Sequence, residues 1–73
     1  MSEGRLQRRF GRVVRRRREA QGLSQEALAE AAGLHRTYVS LLERGRRNPS
    51  LEVICAVAKG MRTTMASLVG ELE

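Results

Sequence analysis

The twenty residues Gln25-Glu26-Ala27-Leu28-Ala29-Glu30-Ala31-Ala32-Gly33-Leu34-His35-Arg36-Thr37-Tyr38-Val39-Ser40-Leu41-Leu42-Glu43-Arg44 read as two short helices broken at one glycine. Ser24 stands where an N-cap hydroxyl satisfies the first free backbone N–H groups. Glu26 places a negative charge against the positive end of the helix dipole. The first helix runs to Ala32 and presents Leu28, Ala29 and Ala32 on one side. Gly33 permits the positive φ that a tight turn requires. A second helix, from about Arg36 to Arg44, turns Val39 and Leu42 inward, with Gly45 as its stop. Ala29 is small where the two helices must cross closely, and Leu28, Ala32, Leu34, Val39 and Leu42 lock the angle between them.

Working outward, a helix from about Leu6 to Gln21 precedes this pair, with Leu6, Phe10, Val13 and Val14 at helical spacing and Gly22 as its terminator. After it, Arg46-Arg47-Asn48-Pro49-Ser50 is a turn signal. Ser50 caps a fourth helix in which Leu51, Ile54, Cys55, Ala58 and Met61 share a face. Thr64 caps a short last helix from about Met65, with Met65, Leu68, Val69 and Leu72 at i, i+3, i+4 and i+7. Strand vocabulary is nearly absent, with two aromatic residues and no sustained alternation. The expectation is an all-α, compact five-helix domain spanning 1–73, with 1–5 flexible, the central helix pair at 25–44, and 64–73 as a dimerisation helix.

Composition narrows the function. Seventy-three residues hold at most one core, and a domain of this size buries only roughly 60% of its unfolded surface. Cys55 and His35 are the single cysteine and the single histidine, too few for a disulfide or a four-ligand zinc set. The chain contains no aspartate, which removes a Ser/His/Asp arrangement and makes an enzyme the weakest class; no cofactor is expected. No apolar run approaches the roughly 18 residues of a bilayer span, and the basic start lacks the apolar stretch of a signal peptide, so no membrane partner and a cytoplasmic location are expected. The charge is +6, and 13 of the 14 basic residues are arginine. The guanidinium fork engages phosphate bidentately, which points to an anionic partner. Residues 1–47 carry 12 arginines and 5 glutamates (+7), and 48–73 carry Lys59 and Arg62 against Glu52, Glu71 and Glu73 (−1). One half faces the polyanion.

Two short helices joined by a tight glycine turn form the helix-turn-helix unit, whose second helix lies in the major groove of double-stranded DNA. Arg36, Thr37, Ser40 and Arg44 fall opposite Val39 and Leu42, on the side free to enter a groove, and are the candidate base contacts. Arg36 can donate two hydrogen bonds to guanine, and Thr37 can touch a thymine methyl or donate to a base or phosphate. Tyr38 and Leu41 are open between partial burial and DNA contact.

The strings Gly22-Leu23-Ser24-Gln25-Glu26-Ala27-Leu28-Ala29, Gly33 through Gly45, and Asn48-Pro49-Ser50-Leu51 resemble the phage repressor and Cro-like (xenobiotic-response-element) helix-turn-helix family. The resemblance covers about Phe10 to Leu68. His35-Arg36-Thr37-Tyr38 with Glu43-Arg44-Gly45-Arg46-Arg47-Asn48 is most similar to the controller proteins of restriction–modification systems. It implies a sequence-specific transcriptional regulator that binds a palindromic (inverted-repeat) operator as a homodimer and acts as activator and repressor, with RNA polymerase as a further candidate partner. The rival reading is an antitoxin-like or phage adaptor protein whose main partner is another protein. An arginine-rich RNA or membrane-surface helix is weaker still, since it leaves the spacing of Leu28, Ala29, Gly33, Val39 and Leu42 without a reason.

The resemblance also distributes roles. It favours Gln25, Tyr38, Arg46, Arg47 and Asn48 as phosphate contacts, with the Gln25 amide able to reach either a phosphate or helix three. It matches Arg18 and Glu43 to a structural ion pair. Four successive residues cover all sides of a helix, so Arg15-Arg16-Arg17-Arg18 is not one patch. Arg17 stands where the family often has an apolar residue and is expected to snorkel over the core. Arg5, Arg8, Arg12 and Arg15 lie on the outer face of helix one and add long-range attraction to DNA. Cys55 is expected to be an inert core residue and His35 an N-cap. Arg62-Thr63-Thr64 departs from the family pattern, so the last turn must bend without glycine. The stripe Met65, Leu68, Val69 and Leu72 exceeds what so small a core needs and is the expected dimer interface.

Overall fold

The computed structural model describes residues 4–73, and among them five helices and no strand are found: α1 Arg5–Ala20, α2 Gln25–Ala32, α3 Arg36–Glu43, α4 Leu51–Gly60 and α5 Met65–Gly70. Residues 1–3 of the segment expected to be flexible lie outside the described residues; Gly4 is the N-cap of α1 and Arg5 its first residue. The helix starts follow local chemistry. The hydroxyls of Ser24, Ser50 and Thr64 accept from the backbone N–H of Ala27, Val53 and Ser67 at 3.0, 3.2 and 3.1 Å. His35 occupies the same position before α3 without a side-chain cap bond.

Four helices end in one way. A residue at positive φ (Gly22, Gly33, Gly45 or Arg62) lets the next backbone N–H return to a carbonyl five residues back, pairing Leu23 with Arg18, Leu34 with Ala29, Arg46 with Leu41 and Thr63 with Ala58. Arg62, at φ 57°, is the non-glycine member. A left-handed conformation costs a side-chain-bearing residue roughly 1–2 kcal/mol, of which glycine's extra unfolded-state entropy offsets about 0.5–1 kcal/mol. Arg62→Gly is therefore expected to stabilise the domain by about 0.5–1 kcal/mol, raising the thermal midpoint by about 2–8 °C in a calorimetric scan.

The core unites Phe10, Val13 and Val14 of α1, Leu28 and Ala29 of α2, Val39 and Leu42 of α3, Val57, Ala58 and Met61 at α4, and Leu68 of α5. Helix α2 packs on α3 and α4, α1 packs on α3, and α5 closes against α4 and α1. The α1–α3 crossing is close: a Cβ at Gly11 would lie 2.5 Å from the carbonyl oxygens of both Leu42 and Glu43, so only glycine fits.

Three expectations change. Leu6 is 58% exposed and Leu51 74% exposed, because each sits in the first turn of its helix, beyond the neighbours that cover the rest of its stripe. The buried face of α4 is rotated toward Val57, leaving Cys55 half-buried at its edge. Leu68 has no exposed surface and completes the core, so it leaves the set expected at a dimer interface. A core-facing stripe and a partner-facing stripe have the same period on so short a helix.

Arginines of α1 tie down the C-terminal segment. Arg17 donates to the Glu71 carboxylate, to Thr63 Oγ1 at 3.2 Å and to Ser67 Oγ at 2.8 Å. Arg16 also bonds Glu71, and Arg9 donates to the Leu72 carbonyl. The hydrogen bond from Arg17, reinforced by the charges of Arg17 and Arg16, holds the Glu71 carboxyl below its ordinary value. Its contribution is fully present above the ordinary pKa of 4.5 and is lost as pH falls through the depressed folded value. Amide-exchange protection of α5 is expected to fall on acidification below pH 4.5 while Val39 and Leu42 stay protected; unchanged protection of α5 would contradict this.

Candidate nucleic-acid interface

The orientation of α3 is set by a buried polar cluster beneath it. Arg18 Nε donates to Glu43 Oε2 at 2.7 Å and Arg18 Nη2 to Glu43 Oε1 at 3.1 Å, while Gln25 Nε2 donates to the same Oε1 at 3.0 Å. Arg18 Nη1 also donates to the Leu23 carbonyl at 2.7 Å. The side chains of Arg18 and Glu43 are 10% and 3% exposed, and Glu43 raises the pKa of the guanidinium chiefly through the hydrogen bonds between them. One carboxylate thus joins α1, the start of α2 and the end of α3, fixing the angle between the central helices. No buried side-chain nitrogen or oxygen among the described residues lacks a partner.

With Val39 and Leu42 turned into the core, the opposite side of α3 carries Arg36 and Thr37, both exposed, and Arg44 follows at its C-cap, exposed too. Ser40 is half-buried on the flank of this face, as is Leu41. Tyr38 is also half-buried and packs against the core. Arg46, Arg47 and Asn48 are exposed in the loop after α3, where Arg47 Nη1 bonds the Arg46 carbonyl at 2.9 Å. Among the described residues no carboxylate pairs with Arg36, Arg44, Arg46 or Arg47. Four guanidinium groups are therefore gathered on one helix face and its following loop, with their charge directed outward. Gln25 differs from the other candidates: one amide hydrogen is given to Glu43, which leaves the second for a ligand.

Beside the start of α3 lies a shallow depression of about 300 Å³ lined by Glu26, Ala29, Glu30, Leu34, His35 and Arg36. Its two carboxylates, one helical turn apart, repel phosphate and mark where an anionic ligand does not sit. Among the described residues no group of His, Cys, Asp or Glu side chains can hold a metal ion, and no helix is long and apolar enough to cross a membrane.

Of the C-terminal stripe, Val69 is 39% exposed, and Met65 and Leu72 are half-buried against the core. Sequence reading missed the work of Arg9, Arg16 and Arg17 on the C-terminal segment and the bond from Gln21 Nε2 to the Met61 carbonyl at 2.6 Å. These partners lie 40 or more positions apart, so no local pattern carries a signal for them.

Comparison with known proteins agrees with this geometry. Residues 14–68 match the family described as Helix-turn-helix. The chain is 45% identical over 56 residues to the control protein C.SmaI of Serratia marcescens, covering 77% of this chain and 67% of that protein. It is 38% identical over 66 residues to the control protein C.MunI of a Mycoplasma species, covering 89% of each. Among solved structures, the restriction-modification controller protein C.AhdI from Aeromonas hydrophila superposes with a TM-score of 0.82 at 44% identity, covering 84% of this chain and 92% of that one.

Proposed function

The chain belongs to the helix-turn-helix family, and on that premise we propose that it is a sequence-specific regulator of transcription, working by binding and not by catalysis, as the restriction–modification control proteins it is similar to do. The observation that carries the reading is the division of charge around α3. Glu43 is consumed by Arg18 and Gln25 on the inner side, while Arg36 and Arg44 stand outward with no acidic partner among the described residues. A helix held this way presents its start to base edges and leaves the following loop on the backbone.

In this reading Arg36, Thr37, Ser40 and Arg44 meet bases. Arg46, Arg47 and Asn48 grip phosphates, and the free amide hydrogen of Gln25 adds a phosphate contact at the N-terminus of α2. Tyr38 contributes through its hydroxyl, its ring remaining under the turn. The protein acts as a homodimer in the cytoplasm, and an operator overlapping a promoter brings it against RNA polymerase. Val69 with the outer edges of Met65 and Leu72 forms the dimer surface. Leu6 extends it, since Arg9, one turn on from Leu6, reaches the Leu72 carbonyl. Activation or repression of its own gene and of a neighbouring endonuclease gene is the corresponding biological role.

Footprinting across the promoter region of its own gene tests the proposal. Two protected half-sites related by an inverted repeat are expected, their centres about 10 bp apart or a multiple of a helical turn. Absence of any protected palindrome, together with stoichiometric capture of a protein partner, would overturn it.

A further inference from the structure

We infer that the outer edge of α1 is a second phosphate-binding surface, on which Arg5, Arg12 and Arg15 touch the DNA backbone as a continuation of Arg46 and Arg47. This rests on the DNA-binding reading and adds to it a set of direct contacts in place of diffuse attraction. Helix α1 carries eight arginines, and the structure divides them by direction. Arg18 is turned to Glu43, and Arg9, Arg16 and Arg17 are turned to the C-terminal segment. The remaining four, Arg5, Arg8, Arg12 and Arg15, fall at i, i+3, i+7 and i+10 along one edge about 15 Å long, at the α-helical rise.

That edge adjoins the basic loop. A Cβ at Gly45 would lie 2.8 Å from the Cα of Arg8, so the backbone of α1 touches the loop one residue before Arg46. Arg5 and Arg12 are exposed, and among the described residues no carboxylate pairs with either. Arg15 meets Glu19 at 3.2 Å with both side chains largely in solvent, the kind of pair that a phosphate readily displaces.

A merely solvated face does not call for this pattern. The exposed faces of α2 and α4 carry glutamates, Glu26 and Glu30 on the one and Glu52 beside Lys59 on the other. The α1 edge instead sets like charges at helical-neighbour spacing, which destabilises a helix in isolation. A polyanion laid along it reverses that repulsion. Each DNA strand offers a phosphate about every 3.4 Å of helix axis, so an edge of about 15 Å spans roughly four.

The test compares two variants with equal loss of charge on the wild-type operator. Arg5→Gln/Arg12→Gln removes the edge, and Lys59→Gln/Arg62→Asn removes the same charge from the far end of α4, with asparagine chosen because it tolerates positive φ. Affinity is measured from 50 to 200 mM salt, at a temperature below the melting midpoint of each variant. The edge variant is expected to show a salt slope shallower by about 1.8, so that its deficit against wild type grows about 12-fold between 200 and 50 mM salt. The α4 variant is expected to keep the wild-type slope. Equal changes in both variants would reduce the edge to long-range attraction and overturn the proposal, as would no change in either. Failure of the wild-type protein to bind any operator would instead bring down the DNA-binding reading beneath it.

Discussion

Glu43→Ala is expected to cost about 3–5 kcal/mol of folding stability, because it strands the desolvated Arg18 guanidinium and takes the partner from the Gln25 amide. A domain of this length has roughly 4–11 kcal/mol in total, so the variant is expected to be largely unfolded at physiological temperature. Its loss of DNA binding then reports a lost fold and not a lost contact. Urea titration followed by circular dichroism measures the effect. A decisive companion is the double variant Arg18→Met/Glu43→Leu, which removes both charges together and is expected to regain much of the stability, as apolar replacement of a buried pair commonly does. A loss below about 1 kcal/mol in Glu43→Ala would mean that the pair behaves as an exposed one and that the angle of α3 is held by apolar packing alone.

Arg36→Ala is expected to act on the other side of the same helix. It leaves folding unchanged, since the side chain is exposed, and costs about 1–3 kcal/mol of operator affinity while relaxing preference at one base position. Arg47→Ala is expected to weaken binding to all sequences alike and to reduce the salt slope by about 0.9. Mobility-shift titrations on operator and on random duplex separate the two. Equal losses on both duplexes for both variants would remove base reading from Arg36 and reduce it to another phosphate contact.

How much of the fold is legible in the sequence depends on the range of the interactions involved. Helix starts at Ser24, Ser50 and Thr64 depend on a hydroxyl and an N–H three residues apart, so the local string suffices. The ends at Gly22, Gly33 and Gly45 are equally local, and the missing glycine at Arg62 is visible as a departure that the backbone meets by accepting a left-handed arginine. The side of α3 turned outward follows from Val39 and Leu42 alone. Burial at the helix edges is not legible in this way. Leu6 and Leu51 carry the period of their stripes but lie outside the span that neighbouring helices cover, a property of assembly and not of sequence. Leu68 cannot be told from Val69 by period, because the space it fills is made by α1 and α4.

The arginines show the same boundary from the electrostatic side. Composition announces a polyanion partner, yet Arg9, Arg16, Arg17 and Arg18 are engaged within the protein, three on the C-terminal segment and one beneath α3. The charge available to DNA is therefore that of Arg36, Arg44, Arg46 and Arg47, joined by the outer edge of α1. This redistribution ties the acid sensitivity of Glu71 to assembly, since the helix it anchors bears the proposed dimer surface.

The central claim is that α3 reads bases in a two-fold arrangement, and selection of bound duplexes from a random DNA pool tests it most directly. The account predicts enrichment of an inverted repeat with half-site centres about 10 bp apart or a multiple of a helical turn, and loss of preference at one position per half-site when the selection is repeated with Arg36→Ala. A pool that stays random after successive rounds, or converges on a motif without two-fold symmetry, would contradict it.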